Sequence, residues 1–538
     1  MSMIFAPNRK LANSCFAICG LCLLFLFACK KPASQLRSDK PEVTPRLSNE
    51  REVFRGVDVA PRQVLIKMEK CDGIDSGGHL VEGVTRFARE ATNDESATAT
   101  RATNGCWFKI RSSTLTVERL LTVFRQSIET KRAVTINGLT TIVVDADPNH
   151  LIHINPPAGD QPIIAPVAPT PIAVPSATPV ATPSGTLAGG PNDTYYQADS
   201  LWGLKNPTKA GMDINAENAW TRSTGSPDIV VGVIDTGIYY NHPDLIKNVW
   251  SAPSDYQVTV KGELITCPEG SHGYNAVPLT FSEICDPLDQ TYNSGHGTHV
   301  SGIIGAVGNN AEGVVGVNWN TKLVGLKVVD IFNSVEMADV VSAIEFATQL
   351  QERWGAQANV RVLNASIGFL GPGVPASDLS MLKDEIEFAG TKNILLVASA
   401  GENDNDNDQN PHYPSGFDLP NVLSVTAIDS SGALAKISGS LSNHGVNSVH
   451  LGAPGKSIYS TYPVSLGDSY YVKSGTSMAA PFVSGAAALM LSVPPCSALS
   501  AADLKTKIVG GVDITPSLTQ TKSKGRLNVA KAIDLCGP

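Results

Sequence analysis

VVGVIDTGIYYNHPDL, running from Val230 to Leu245, opens on an unbroken apolar stretch that stops at Asp235-Thr236-Gly237. Such a run is what a parallel strand buried on both faces requires. The aspartate that closes it stands at the strand's carboxyl end, where open α/β sheets place their sites. Further apolar runs follow in KLVGLKVVD, VRVLNASIG, NILLVASAG and NVLSVTAID, with helical spacing between them in MADVVSAIEFATQL. The alternation predicts an α/β domain in which a parallel sheet carries helices on both faces.

Two more stretches put chemistry at the edges of this core. GHGTHVSGIIGAVGNN, from Gly295, sets His296 at the opening of a small-residue helix, and GTSMAAPFVSGAAALM, Gly475 to Met490, does the same for Ser477. A serine among small residues at a helix start has little steric cover, and the amide groups there face negative charge arising beside it. A serine hydroxyl is a poor nucleophile at neutral pH. A neutral imidazole must take its proton, and a carboxylate must hold that imidazole in one tautomer. Taken singly, Asp235 reads as a turn cap, His296 as a satisfied helix-start histidine and Ser477 as an N-cap. Taken together, each at the edge of a predicted core element, they read as a catalytic set. His299, three residues after His296, is the rival base.

The order Asp235, His296, Ser477 resembles that of the subtilisin family. PNDTYYQADSLWGLKN resembles the start of a subtilisin-like catalytic domain, GRLNVAKAI (Gly525 to Ile533) resembles its end, and IGAVGNNAEGVVGVNWNTKL is similar to bacterial secreted members. The resemblance implies a subtilisin-like peptidase domain over 191–538 that hydrolyses protein or peptide substrates through an acyl-enzyme. It makes Ser477 the nucleophile, His296 the proton carrier, Asp235 its orienting carboxylate and His299 structural. Ser366-Ile367-Gly368 resembles the family's substrate-binding edge, where an extended peptide adds by main-chain hydrogen bonds. Asp193, Asp244 and Asn310 match positions that hold a structural calcium ion in relatives. Backbone carbonyls of 310–314 would have to complete its six to eight oxygens. A solvated loop and a pocket selecting basic substrates both account for Glu402, Asp404, Asp406 and Asp408.

One position departs from the family. Where an Asn that donates to the oxyanion is expected after AG, VASAGENDNDNDQNPHYP has Glu402, with Asn403 next. A carboxylate donates no hydrogen bond unless protonated, and its charge repels an oxyanion. Losing such a donor costs on the order of 3 kcal/mol in the transition state. A shifted Asn403, a protonated Glu402, or reliance on backbone groups near Ser477 each answers the departure, and the shifted Asn403 is the reading preferred here. The departure also supports the rival reading, a non-enzymatic binding or scaffold protein on a subtilisin fold. An esterase is disfavoured because Ser477 lacks the GxSxG elbow.

The 538 residues exceed one ordinary domain. A net charge of −9 without a basic patch points away from nucleic acid. Arg9 and Lys10 followed by an apolar stretch from Leu11 to Ala28 read as a secretory signal, 1–28. Its end, Leu26-Phe27-Ala28-Cys29, resembles the bacterial lipobox, in which the cysteine is lipidated. Lys30 after Cys29 implies, in that resemblance, an outer-membrane lipoprotein, or an extracellular enzyme after processing. An uncleaved membrane anchor is the alternative. A polar tether, 29–59, leads to a small α+β pattern over 60–154. RQVLIKME and GLTTIVVDAD read there as strands and TVERLLTVFRQSI as a helix, and the region resembles a subtilisin propeptide that inhibits its own enzyme. Residues 155–190, rich in Pro, Ala and Thr, make an exposed linker. Beyond the signal and Cys29, six cysteines remain in an exported chain. Proximity favours the pairs Cys71–Cys106, Cys267–Cys285 and Cys496–Cys536.

Overall fold

The computed structural model describes residues 52–54, 57–68, 88–89, 98–101, 107–111, 133–136 and 139–153. It also describes 190–537 apart from 279, 290–294, 331–332, 371–378 and 464–468. The signal, Cys29, Cys71, Cys106, the linker and the helix expected at TVERLLTVFRQSI lie outside the described residues.

The N-terminal strands are β1 (Glu52–Phe54), β2 (Val57–Met68), β3 (Thr98–Arg101), β4 (Trp107–Arg111), β5 (Ala133–Ile136) and β6 (Leu139–His153). Residues 62–68 of the first predicted strand fall in β2, and residues 139–147 of the second fall in β6. All their pairings are antiparallel, with β2 between β4 and β6.

The main sheet begins with β7 (Val230–Asp235). A hairpin follows, β8 (Tyr256–Val260) and β9 (Glu263–Cys267), then β10 (Gly273–Asn275), β11 (Lys322–Lys327) and β12 (Ser334–Glu336). Next come β13 (Val360–Ala365), β14 (Phe369–Leu370), β15 (Leu395–Ser399), β16 (His412–Tyr413) and β17 (Val422–Ile428). Towards the C-terminus lie β18 (Leu451–Pro454), β19 (Ile458–Thr461), β20 (Tyr470–Lys473), β21 (Asp513–Ile514) and β22 (Gly525–Arg526). The sheet order is β10-β11-β7-β13-β15-β17-β18-β22-β21, parallel throughout except for the last pair.

The continuous apolar runs are explained by the two faces of this sheet. Val231, Val233, Val362, Leu395, Val397 and Val425 join one hydrophobic cluster, whereas Val230, Ile234, Leu363, Leu396 and Val422 join the other. Successive strand residues point to opposite faces, so both must be apolar when helices cover both. On the first face lie α3 (His296–Gly305) and α6 (Thr476–Leu491), and on the second α4 (Met337–Trp354) and α5 (Ser380–Thr391). The shorter α1 (Thr194–Gln197) and α2 (Ala216–Trp220) precede them, and α7 (Ala501–Gly510) and α8 (Val529–Asp534) follow. In α6 only Ser477 is not fully buried, which is why its sequence is small or apolar all round.

The N-terminal strands and the main domain meet at one edge. β12 pairs antiparallel with the end of β6, Ser334 opposite His153, Val335 opposite Ile152 and Glu336 opposite Leu151. Disulfides join Cys267 to Cys285 and Cys496 to Cys536.

Candidate active site

Asp235 ends β7 and is fully buried. His296 is the first residue of α3, preceded by Gly295 at φ +49°. A Cβ on Gly295 would lie 2.4 Å from Pro463 Cδ and 2.6 Å from the Tyr462 ring, so only glycine admits this turn. Gly297 lets the helix press on the strand end, since a Cβ there would lie 2.2 Å from Gly237 O and 3.0 Å from Asp235 Cβ. The close approach brings His296 Nδ1 to 2.8 and 2.9 Å from the two Asp235 carboxylate oxygens. With Nδ1 donating to the carboxylate, Nε2 is left as the acceptor. The Thr236 amide donates to Asp235 Oδ1 at 2.7 Å, and the Gly297 amide donates to Thr236 Oγ1 at 2.9 Å.

His299 is placed differently. Its Nε2 lies 3.1 Å from Ile458 O and 3.0 Å from Tyr471 O, at the β19–β20 hairpin. Burial pushes its imidazole well below the usual range, so it stays neutral.

Ser477, the second residue of α6, is half-buried. Pro481, four residues on, has no N–H to give the Ser477 carbonyl. That carbonyl instead accepts from Ser366 Oγ at 2.8 Å, while Ser477 Oγ donates to Ser366 O at 3.2 Å. Asn364 Nδ2 donates to Ser366 Oγ at 2.9 Å, and Asn364 Oδ1 accepts from Ser484 Oγ at 2.8 Å. The strand end carrying Ser366-Ile367-Gly368 is thereby locked to the first turns of α6.

The family description "Subtilase family" matches residues 226–526, more than half of the chain. The chain belongs to the subtilase family. Subtilisin DY of Bacillus licheniformis is 34% identical over 296 residues, covering 55% of this chain and 87% of that protein. The thermophilic serine proteinase of Bacillus sp. strain AK1 is 33% identical over 302 residues, and the match spans 60% of its length. The fold is shared with the crystal structure of fervidolysin from Fervidobacterium pennivorans, described as a keratinolytic enzyme related to subtilisin. The TM-score is 0.60 at 21% identity, over 91% of this chain and 62% of that one.

Behind the dyad, this subtilase carries groups that sequence reasoning missed. Lys327 lies beside Asp235 in the β11–β7 register, and its Nζ donates to Leu288 O at 3.0 Å. Asp289 is fully buried and accepts from Thr298 Oγ1 at 2.6 Å and from the Thr298 amide at 3.2 Å. Burial pushes the Asp289 carboxyl up and the Lys327 ammonium down, while their mutual attraction opposes both shifts. The only sequence signal was the HGTHV motif itself, whose threonine is Thr298.

At the departure from the family, Glu402 Oε1 accepts from the Thr476 amide and, at 2.7 Å, from Thr476 Oγ1. The carboxylate thus caps the start of α6. Asn403 is exposed, and its main-chain amide donates to Asn443 Oδ1 at 2.7 Å. Asp408 accepts from Ser448 Oγ at 2.6 Å, from the Ser448 amide at 2.9 Å and from the Asn447 amide and side chain.

Asp193, Asp244 and Asn310 meet at the loop that follows α3. Asp244 Oδ1 accepts from Asn310 Nδ2 at 2.8 Å and its Oδ2 from the Val314 amide at 2.9 Å. Asp193 Oδ2 accepts from the Asn309 amide at 2.8 Å, and its Oδ1 is buried with no hydrogen-bond partner among the described residues. Burial raises Asp193 to about 6 and Asp244 to about 7. Among the described residues, no three His, Cys, Asp or Glu side chains cluster as a metal site. Two carboxylates, one with an orphaned oxygen, beside an amide and loop carbonyls are nevertheless a hard oxygen set of the kind calcium takes.

Proposed function

We propose that the chain is a serine endopeptidase that cleaves protein or peptide substrates. The observation that carries this is the contact of His296 Nδ1 with both Asp235 carboxylate oxygens, in a chain whose half-buried Ser477 stands at the start of a second helix on the same face of the sheet. Ser477 Oγ adds to the scissile carbonyl carbon as its proton passes to His296 Nε2. Asp235 holds the imidazole and stabilises its cation. The Ser477 main-chain amide, one of the helix N-terminal amides without an intrahelical acceptor, donates to the oxyanion. Asn403 supplies the second donor, since Glu402 is engaged with Thr476. The imidazolium then protonates the leaving amine, the C–N bond breaks, and water, deprotonated by His296, hydrolyses the ester.

A structural calcium ion would be held by Asp193, Asp244 and Asn310, screening the two carboxylates from one another and fixing the loop after α3. The region 60–154 acts as an inhibitor domain, a role supported by the β6–β12 pairing. The chain is exported and lipid-anchored through Cys29, and cleavage in 155–190 releases the peptidase. Intact masses of membrane and soluble fractions test that release. Only full-length mature protein, always in membranes, would end it.

The central test is labelling of the purified protein by a fluorophosphonate, with casein or peptide hydrolysis measured beside Ser477→Ala. Labelling mapped to Ser477 and a loss in kcat of about 10⁶-fold in the variant are expected. An unlabelled, inactive wild type would instead favour the scaffold reading.

A further inference from the structure

β13 and β15 are neighbouring parallel strands, and the segments leaving their carboxyl ends flank Ser477. On one side Ser366 exchanges hydrogen bonds with Ser477. On the other, Glu402 follows Gly401 and reaches Thr476. Between two such strand ends an open α/β sheet has its crevice. On the reading that Ser366–Gly368 is the substrate edge, the side chain of the acylated residue must enter there.

That crevice is already filled. His412, 6% exposed, sits with its imidazole against both walls. A Cβ on Gly368 would lie 2.2 Å from His412 Cε1 and 2.9 Å from its Nε2. One on Gly401 would lie 2.9 Å from Cδ2 and 3.1 Å from Nε2. At Gly368 the ring occupies the space a side chain would need, and at Gly401 it does so together with Asn443 Nδ2, 2.5 Å from such a Cβ, and a φ of +98°. β16 fixes the ring by pairing with β14 immediately after Gly368, Leu370 opposite His412, and His412 Nδ1 lies 3.2 Å from Ser415 Oγ. Burial pushes the imidazole down to about 4, so it is neutral at working pH. Asn443 backs the same floor, donating to Ala400 O at 2.8 Å. The acidic side chain of Asp408 is spent on Ser448 and Asn447.

We propose that His412 is a specificity-determining residue. Its ring floors the pocket for the residue on the acyl side of the scissile bond, and the enzyme therefore cleaves after small uncharged residues such as Ala, Ser and Gly. Phe, Leu, Lys and Arg are excluded by bulk.

The test uses the full chain and tetrapeptide p-nitroanilides differing only in the last residue, Ala, Leu, Phe or Lys. Wild type should favour Ala over Phe in kcat/KM by at least about tenfold, in line with the 10–200-fold that one methylene decides in a tight pocket. His412→Ala should raise the Phe/Ala ratio by about a hundredfold. His412→Asn, which keeps a polar group towards Ser415, should give an intermediate ratio and serves if the alanine variant does not fold. Ratios unchanged while all four rates fall together would mean a structural role only and overturn the proposal. Wild type cutting after Phe as readily as after Ala would overturn it too, with the peptidase reading intact. A wild type that takes no fluorophosphonate and cuts no peptide would remove that reading and this one with it.

Discussion

His296 and Ser477 both stand in the first turn of a helix on the same face of the sheet, yet they are held in different ways. His296 is tied to the strand itself. Both oxygens of Asp235 grip Nδ1, glycines on either side allow the contact, and Lys327 and Asp289 sit buried behind it. Ser477 is tied to loops. Its partner Ser366 lies just past the end of β13, and the carboxylate at the start of its helix comes from the Asp/Asn-rich segment after β15. The proton-transfer half is thus fixed by sheet and helix packing. On the proposed mechanism, the half that stabilises an oxyanion is fixed by segments leaving the strand ends, on which a substitution disturbs the core less. A departure from the family pattern such as Glu402 is tolerable in the second half and would not be in the first.

Breaking the first half should therefore have the larger effect. Asp235→Asn keeps the shape but allows the wrong imidazole tautomer, and kcat on a peptide p-nitroanilide should fall by about 10⁴-fold. A loss of less than tenfold would mean that the buried dyad is not the proton relay.

The second half is sharpened by two neighbouring substitutions that pull in opposite directions. Asn403→Ala should lower kcat by roughly a hundredfold, with KM little changed, because a donor used only in the transition state is lost. Glu402→Gln keeps an oxygen to accept from Thr476, removes the negative charge and adds a donor, so kcat should rise about tenfold. A near-wild-type rate for Asn403→Ala would leave the Ser477 amide as the donor. A fall for Glu402→Gln would mean that the charge is worth more as a helix cap than it costs the oxyanion.

What the sequence made legible follows the same division. The strands at 230–235, 322–327, 360–365, 395–399 and 422–428 stand where apolar runs predict them, because a strand buried on both faces leaves a local signature. The positions of Asp235, His296 and Ser477 at the edges of such elements are legible for a similar reason. The β8–β9 hairpin was not foreseen. Its burial alternates along YQVTV, and the disulfide that anchors it joins residues 18 apart. Lys327 and Asp289 were invisible because their roles come from strand register and from packing against Thr298, which no local pattern encodes. His412 was hidden for the same reason. Its meaning lies in two glycines, Gly368 and Gly401, far away along the chain and touching its ring.

The smallest expected effect lies at the far end of α3, where the helix that begins with His296 runs into the loop gripped by Asp193 and Asp244. If that loop holds calcium, saturation at about a hundredfold over Kd stabilises the folded state by about 2.7 kcal/mol. A strong chelator should then lower Tm by about 5–10 °C, given roughly 2–4 °C per kcal/mol in domains of moderate size. Asp244→Asn should lower Tm and abolish the further loss on chelation, while fluorophosphonate labelling of Ser477 persists, since the dyad is gripped at the opposite end of the helix. A Tm indifferent to chelator in wild type would mean that the hydrogen bonds of Asp244 to Asn310 and Val314, and of Asp193 to Asn309, close the loop without a cation. The orphaned oxygen of Asp193 would then belong to a buried carboxyl whose titration burial raises to about 6.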